Sequence, residues 1–190
     1  MKIGILAVQG DFEAHRKALE RLGAETVLVK TVADLEGIEG LVLPGGESTT
    51  HMKFLTEEGL FDRLVERVRQ GLALFGTCAG AILLAKEVKN PAQASLALID
   101  MTVVRNAYGR QLESCVTQAL TDLSDKPLEM VFIRAPIIES VGANVQVLAR
   151  RAGQPILVRQ GRLLAATFHP ELTSDTTVHS YFLKLVCNGR

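Results

Sequence analysis

The chain has little cysteine, no net charge and no long apolar run, and each shortage removes a class of protein. Cys78, Cys115 and Cys187 are its only cysteines in 190 residues, odd in number and far apart. They exclude a disulfide framework and point to a reducing cytoplasm. No cysteine or histidine cluster has zinc-ligand spacing, so no metal and no resident cofactor is expected. Basic and acidic residues balance at 21 each, without the basic surplus of a nucleic-acid-binding protein. No apolar stretch approaches the roughly 20 residues that span a bilayer, so no membrane partner is expected. Residues 1–8 are apolar but lack a small-residue cleavage site and run into Gln9-Gly10-Asp11, which reads as a strand rather than a signal peptide. The Pro44-Gly45-Gly46-Glu47-Ser48-Thr49-Thr50 turn lacks the lysine of a phosphate loop, and Gly4 and Gly10 do not make a dinucleotide fingerprint.

What remains is apolar and periodic. Hydrophobic residues make up 47% of the chain, enough for one domain over residues 1–190 with a substantial core. Residues 2–8 read as a buried parallel strand. Asp11 can cap a helix whose Ala14, Ala18, Leu19 and Leu22 share a face and which Gly23 ends. Strands follow at 25–29 and at Leu41-Val42-Leu43. A helical stretch from Ser48 breaks near Gly59 and resumes to Gln70, with Leu60, Phe61, Leu64 and Val68 at helical spacing. A strand to Phe75 then leads to a turn at Cys78 and a helix to Glu87. This alternation implies an α/β fold: a mostly parallel sheet with helices on both faces. From about Leu98 the pattern changes to strands at 99–104, 112–118, 128–133, 145–149, 156–159 and 163–168. Gln160-Gly161 is a hairpin turn, and an amphipathic helix closes the chain at 175–186. The C-terminal half therefore adds antiparallel strands.

Chemistry concentrates at Gly76-Thr77-Cys78-Ala79-Gly80. An apolar strand enters this turn and an apolar helix leaves it, which is how Gly-x-Ser-x-Gly hydrolases hold their serine. A helix N-terminus beside the sulfur favours thiolate. A cysteine nucleophile needs a base. His15 reads as a solvated helix-face residue and His179 as structural. His51 follows the glycine-rich turn, where a ligand could lie, although a helix-surface role fits as well. His169 closes the last strand and is followed by Pro170-Glu171. Strand C-terminal ends are where α/β folds place active sites, and Glu171 could fix the tautomer of His169. The alternative is a capped strand end with an exposed acid. Oxyanion donors are readable in the N–H of Ala79 and in the Gly45-Gly46 turn. Otherwise that turn is an ordinary helix entry with Ser48 as N-cap.

These motifs resemble those of class I, triad-type glutamine amidotransferases. Further stretches narrow the resemblance to the glutaminase subunits of pyridoxal 5′-phosphate synthase: Gly4-Ile5-Leu6-Ala7-Val8-Gln9-Gly10, Leu43-Pro44-Gly45-Gly46-Glu47-Ser48-Thr49-Thr50, Arg105-Asn106-Ala107-Tyr108-Gly109-Arg110-Gln111 and Phe132-Ile133-Arg134-Ala135-Pro136. Tyr108 departs mildly from that pattern, where phenylalanine is expected. The resemblance implies a flavodoxin-like amidotransferase fold that hydrolyses L-glutamine to glutamate and ammonia. It implies Cys78 as nucleophile, His169 as acid and base, and Glu171 as its orienter. Gly46 and Ala79 would bind the oxyanion; Gly46, Glu47, Ser48, Arg105, Ile133 and Arg134 would line the glutamine site. The implied partner is a (β/α)8-barrel synthase subunit that receives the ammonia. Docking to it would complete the turn near Gly46, and the lone subunit would be nearly inactive. Competing readings are another pathway's glutaminase subunit, a related cysteine hydrolase or stress protein, and a non-catalytic regulatory module.

Overall fold

The computed structural model describes residues 1–106 and 114–188. The stretch from Ala107 to Gln111, Tyr108 included, and the first two residues of the predicted 112–118 strand lie outside the described residues. In chain order the strands are β1 (Lys2–Leu6), β2 (Glu25–Val29), β3 (Gly40–Leu43), β4 (Ala73–Thr77), β5 (Ala85–Lys89), β6 (Ile99–Val104), β7 (Ser114–Thr121), β8 (Ser124–Ile133), β9 (Ile137–Val141), β10 (Gln146–Arg151), β11 (Gln154–Gln160) and β12 (Leu163–Ala166). The helices are α1 (Phe12–Arg21), α2 (Ser48–Glu57), α3 (Leu60–Arg69), α4 (Ala79–Leu84) and α5 (Thr177–Cys187).

A nine-stranded sheet runs β2-β1-β3-β4-β12-β11-β10-β7-β8, and a three-stranded one runs β5-β6-β9. The pairs from β2 to β12 are parallel. Those from β12 outward to β8 are antiparallel. Side chains alternate across a strand, and this sheet uses both faces. Val42, Ala73, Phe75, Leu164 and Ala166 pack with Leu19 of α1 and with Val178, Phe182 and Leu185 of α5. Leu41, Leu43, Leu74, Leu163 and Ala165 pack with Leu55, Leu60 and Leu64 of α2 and α3 and with the buried helix α4. The predicted α/β fold is therefore present as one mixed sheet, parallel from β2 to β12 and with the expected antiparallel additions from β12 to β8.

The topology matters for function because the C-terminal ends of β1, β3, β4 and β12 lie side by side. They lead directly into Gly10, Gly46, Cys78 and His169. Active sites of open α/β sheets form at this edge.

Several boundaries differ from the sequence reading. The first strand stops at Leu6 rather than Val8, and the last at Ala166 rather than Phe168. The helix after Cys78 ends at Leu84, not Glu87, because Ala85 turns extended (φ −64°, ψ 144°) and β5 pairs with β6. The apolar stretch through Leu83 and Leu84 masks that switch, since an apolar run fits a buried helix or a buried strand equally. Strands β5 and β9 were both unanticipated. The predicted hairpin holds, with Gln160 paired to Leu163 and Gly161 at φ +58°.

Candidate active site

Cys78 sits between β4 and α4 with φ 47° and ψ −102°, a conformation that costs a non-glycine residue on the order of 1–3 kcal/mol. Its surroundings hold it there. The Cys78 amide donates to Ala166 O of β12 at 2.8 Å, and its carbonyl accepts from Ile82 N at 3.2 Å. The glycines on either side are required by contact. A Cβ on Gly76 would lie 2.6 Å from the Gly80 carbonyl carbon, and one on Gly80 would overlap the backbone of Leu43 in β3. The elbow thus packs backbone to backbone, which is why Gly-x-Cys-x-Gly suits it. Cys78 is 8% exposed, and its thiol points to the Ile133 carbonyl at 3.8 Å. Ala79 is the first residue of α4, where a helix amide has no intrahelical partner.

His169 arrives from β12. Its amide donates to Val131 O of β8 at 2.8 Å, which ties the sheet's two halves together at the site. Residues Pro170–Leu172 form a single 3-10 turn with proline near its start, and Thr173 Oγ1 closes it by donating to Pro170 O at 3.1 Å. That turn folds the carboxylate of Glu171 back to His169 Nδ1 at 2.8 Å. Glu171 is 5% exposed, so the exposed-acid alternative is excluded. The other ring nitrogen, Nε2, is buried with no hydrogen bond of good geometry among the described residues.

Electrostatics follow from this packing. Burial alone would lower the pKa of His169, but hydrogen bonding and charge from Cys78 and Glu171 outweigh it and raise it from 6.5 to about 10. The His169 imidazole therefore holds its proton above the ordinary histidine range. Burial opposes ionisation of Glu171 as well, yet His15 and His169 hold it well below the ordinary carboxylate range. Asp11 Oδ2 lies 3.8 Å from His169 Nδ1. Asp11, His169 and Glu171 bring ligand-type atoms within 4.8 Å of one another. The Nδ1 contact with Glu171 uses the nitrogen a cation would need, so the cluster reads as a hydrogen-bonded acid and base with Asp11 beside it.

Cys78 and His169 line one cavity of about 190 Å³ with Gly46, Glu47, Ser48, Arg105, Ile133 and Arg134. Pockets for drug-sized ligands run to roughly 300–1,000 Å³, so this one suits a small metabolite. Gly10, Asp11, Ile82, Asn106 and Pro136 complete the wall and were not anticipated. Ala79 and Glu171 do not line it; Glu171 stands behind His169. Arg105 comes from the end of β6, its amide bonded to Lys89 O at 2.9 Å. Its side chain is 11% exposed and lies 3.6 Å from Glu47, a cation held inside the wall. Gly46 has φ +135°, a region open to glycine. Its neighbour Gly45 packs against the ring of His169, where a Cβ would overlap Cε1. Ser48 is not the cap of α2. Glu47 is, and Ser48 Oγ donates to Gln93 Oε1 at 2.9 Å.

Two histidines are misplaced by the sequence reading. His15 is wholly buried, not solvated. It meets His179 Nε2 at 2.9 Å, Thr77 Oγ1 at 3.1 Å and Glu171 Oε2 at 3.4 Å. Its position was legible, since His15, Ala18, Leu19 and Leu22 follow i, i+3, i+4, i+7. His51 is also wholly buried. It lies under the glycine-rich turn, with Nε2 3.4 Å from Gln9 O, and its burial lowers its pKa against the opposing pull of Gln9 O and Glu47. His179 is buried as well, with burial foremost, then the neighbouring His15, lowering its pKa to about 3.

The family profile described as SNO glutamine amidotransferase matches residues 5–188. The pyridoxal 5′-phosphate synthase subunit PdxT of Koribacter versatilis (strain Ellin345) is 58% identical over 189 residues, covering 100% of this chain and 97% of that protein. The subunit of the same name from Thermotoga maritima is 51% identical over 187 residues, covering 98% and 100%. A solved structure described as a glutamine amidotransferase superposes with a TM-score of 0.91 at 49% identity, over 97% of this chain and 98% of that one. A putative GMP synthase subunit from Thermoplasma acidophilum, 18% identical over 99% of this chain and 94% of that one, shares the fold with a TM-score of 0.72.

Proposed function

The chain belongs to the SNO glutamine amidotransferase family, and on that premise we propose that it is the glutaminase subunit of a pyridoxal 5′-phosphate synthase, a single domain over residues 1–190 in which Cys78, His169 and Glu171 do the chemistry. The observation that carries the triad is the strained Cys78 opening into the same cavity as His169, whose Nδ1 is held by Glu171 at 2.8 Å.

Arg105 fits the α-carboxylate of L-glutamine, because a guanidinium can take both oxygens. Glu47 beside it suits the α-ammonium. The Cys78 thiolate attacks the side-chain amide carbon, and the carbonyl electrons move onto oxygen. The N–H groups of Gly46 and Ala79 receive that charge; losing one such donor costs roughly 3–4 kcal/mol of barrier. Imidazolium His169 gives its Nε2 proton to the departing nitrogen, and ammonia leaves a glutamyl thioester. Neutral His169 then takes a proton from water, hydroxide adds to the thioester, and glutamate departs as Cys78 is restored. Glu171 steadies the imidazolium in both halves.

Ammonia in bulk water is protonated and no longer nucleophilic, so direct transfer to a (β/α)8-barrel synthase partner suits the reaction. No helix among the described residues is long and apolar enough to cross a membrane, and we place the complex in the cytoplasm. Docking of the partner would complete the turn at Gly46, whose φ of +135° is a conformation open to glycine. Glutamate and ammonia release from L-glutamine, measured with and without the synthase subunit, tests these points together. Release by the complex but not by its Cys78→Ala form is expected. Failure of the complex to hydrolyse glutamine refutes the assignment, and equal rates with and without partner refute the docking step.

A further inference from the structure

Glu171 has two carboxylate oxygens in a wholly buried place, and His169 uses only Oε1. Oε2 has no hydrogen bond of good geometry among the described residues, and His15 Nε2 lies 3.4 Å from it. A buried carboxylate oxygen without a donor is costly. We infer that His15 is a positioning residue of the glutaminase: its Nε2–H faces Glu171 Oε2, keeps that carboxylate ionised and aims its other oxygen at His169. The inference rests on the triad proposed above and deepens it.

The proton positions follow from geometry. His15 Nδ1 and His179 Nε2 are 2.9 Å apart, so one proton lies between them. On its other side His15 Nε2 faces oxygens, Thr77 Oγ1 at 3.1 Å and Glu171 Oε2. Neutral His15 therefore carries its proton on Nε2 and accepts at Nδ1 from His179. His179 Nδ1 is then bare, which suits a buried nitrogen with no partner. Were His15 charged, its Nε2–H would face Glu171 all the same, but a buried His179 N–H would be stranded. The neutral form leaves the full negative charge of Glu171 to His169. His179 holds the tautomer and His15 delivers the donor. The other charged groups around this chain are Asp11, beside His169, Arg21, which acts on His179, Lys17 and Glu20, which with Arg21 line a pocket that reaches Glu171, and Cys78. None of them offers Oε2 a donor among the described contacts.

Glutamine and asparagine at position 15 separate this role from packing. A His15→Gln amide reaches the place of Nε2, whereas a His15→Asn amide reaches only that of Nδ1, toward His179. In the complex with its synthase, His15→Asn should lower kcat at least about tenfold, with KM for glutamine within about twofold. The acid limb of its kcat/KM profile should move to higher pH, because Glu171 becomes easier to protonate. His15→Gln should recover most of the rate and the wild-type limb. His179→Leu, assayed in parallel, keeps His15 but frees its tautomer and should reproduce the Asn loss. Equal rates in the Asn, Gln and wild-type forms overturn the inference. So does a loss confined to KM, or an acid limb that stays in place in folded His15→Asn and His179→Leu. An inactive wild-type complex would instead sink the glutaminase assignment, so the two failures are distinct.

Discussion

Replacing Glu171 by glutamine keeps the shape of the side chain and removes its charge. The 2.8 Å contact to His169 Nδ1 lies between side chains only 5% and 0% exposed, so solvent cannot screen the loss. A hydrogen bond to a charged group contributes about 1.5–3 kcal/mol, and a neutral one about 0.5–1.5. Glu171→Gln should therefore raise the barrier by roughly 1–2 kcal/mol, about a five- to thirtyfold loss in kcat/KM at 1.4 kcal/mol per factor of ten. The pH profile should change in a defined direction. Glu171 is one of the groups raising His169 to about 10, so without its charge the imidazolium gives up its proton at lower pH. The alkaline limb should then move down. Glutamate release by the complex, followed from pH 6 to 10.5 at saturating and limiting glutamine, reads both effects. A variant within twofold of wild type, or an alkaline limb that does not move, would refute the idea that a buried carboxylate charges His169.

The glutamine site and the fold give further tests. Arg105→Gln should raise KM for glutamine about ten- to a hundredfold with a smaller change in kcat, since a charge-assisted contact to the substrate carboxylate is lost; a kcat-only effect in steady-state kinetics would place Arg105 elsewhere. Gly80→Ala puts a Cβ 2.8 Å from the Leu43 carbonyl carbon, where only backbone could yield. Overpacking of this kind costs about 1–3 kcal/mol, a fall in Tm of roughly 2–12 °C at this chain length, and an unchanged calorimetric Tm would disprove the contact. Stability should fall on both sides of neutrality. Below 6.5 the unfolded chain takes up a proton that folded His179 refuses until about 3. Acid also removes the contribution of ionised Glu171. Above 6.5 the contribution of protonated His169 declines as pH rises toward about 10. His179→Gln should flatten the acid side of a Tm-against-pH curve and His169→Gln the alkaline side; curves parallel to wild type would refute both.

Much of this was legible in the chain. The first parallel strands alternate with helices whose apolar residues recur every three or four positions, and Gly-x-Cys-x-Gly can be understood from backbone contact alone. His-Pro-Glu was legible because a proline-started turn brings residues two apart together. The buried histidines were harder to read. His15 shares the apolar stripe of α1, but an ionisable residue suggests solvent unless its partners are known, and those partners, Thr77, Glu171 and His179, come from distant segments. His51 is hidden for the same reason, its partner being the main chain of Gln9. Strand β5 follows α4 without a loop, so only its pairing with β6 reveals where the helix ends.

The convergence of Cys78 and His169 on one glutamine site can be tested by treating the synthase complex with a glutamine-like chloromethyl ketone and locating the adduct by mass spectrometry. A single adduct on Cys78, blocked by excess L-glutamine and slowed in His169→Gln, is the expected result. Alkylation of Cys115 or Cys187 instead, or of Cys78 without protection by glutamine, would contradict it.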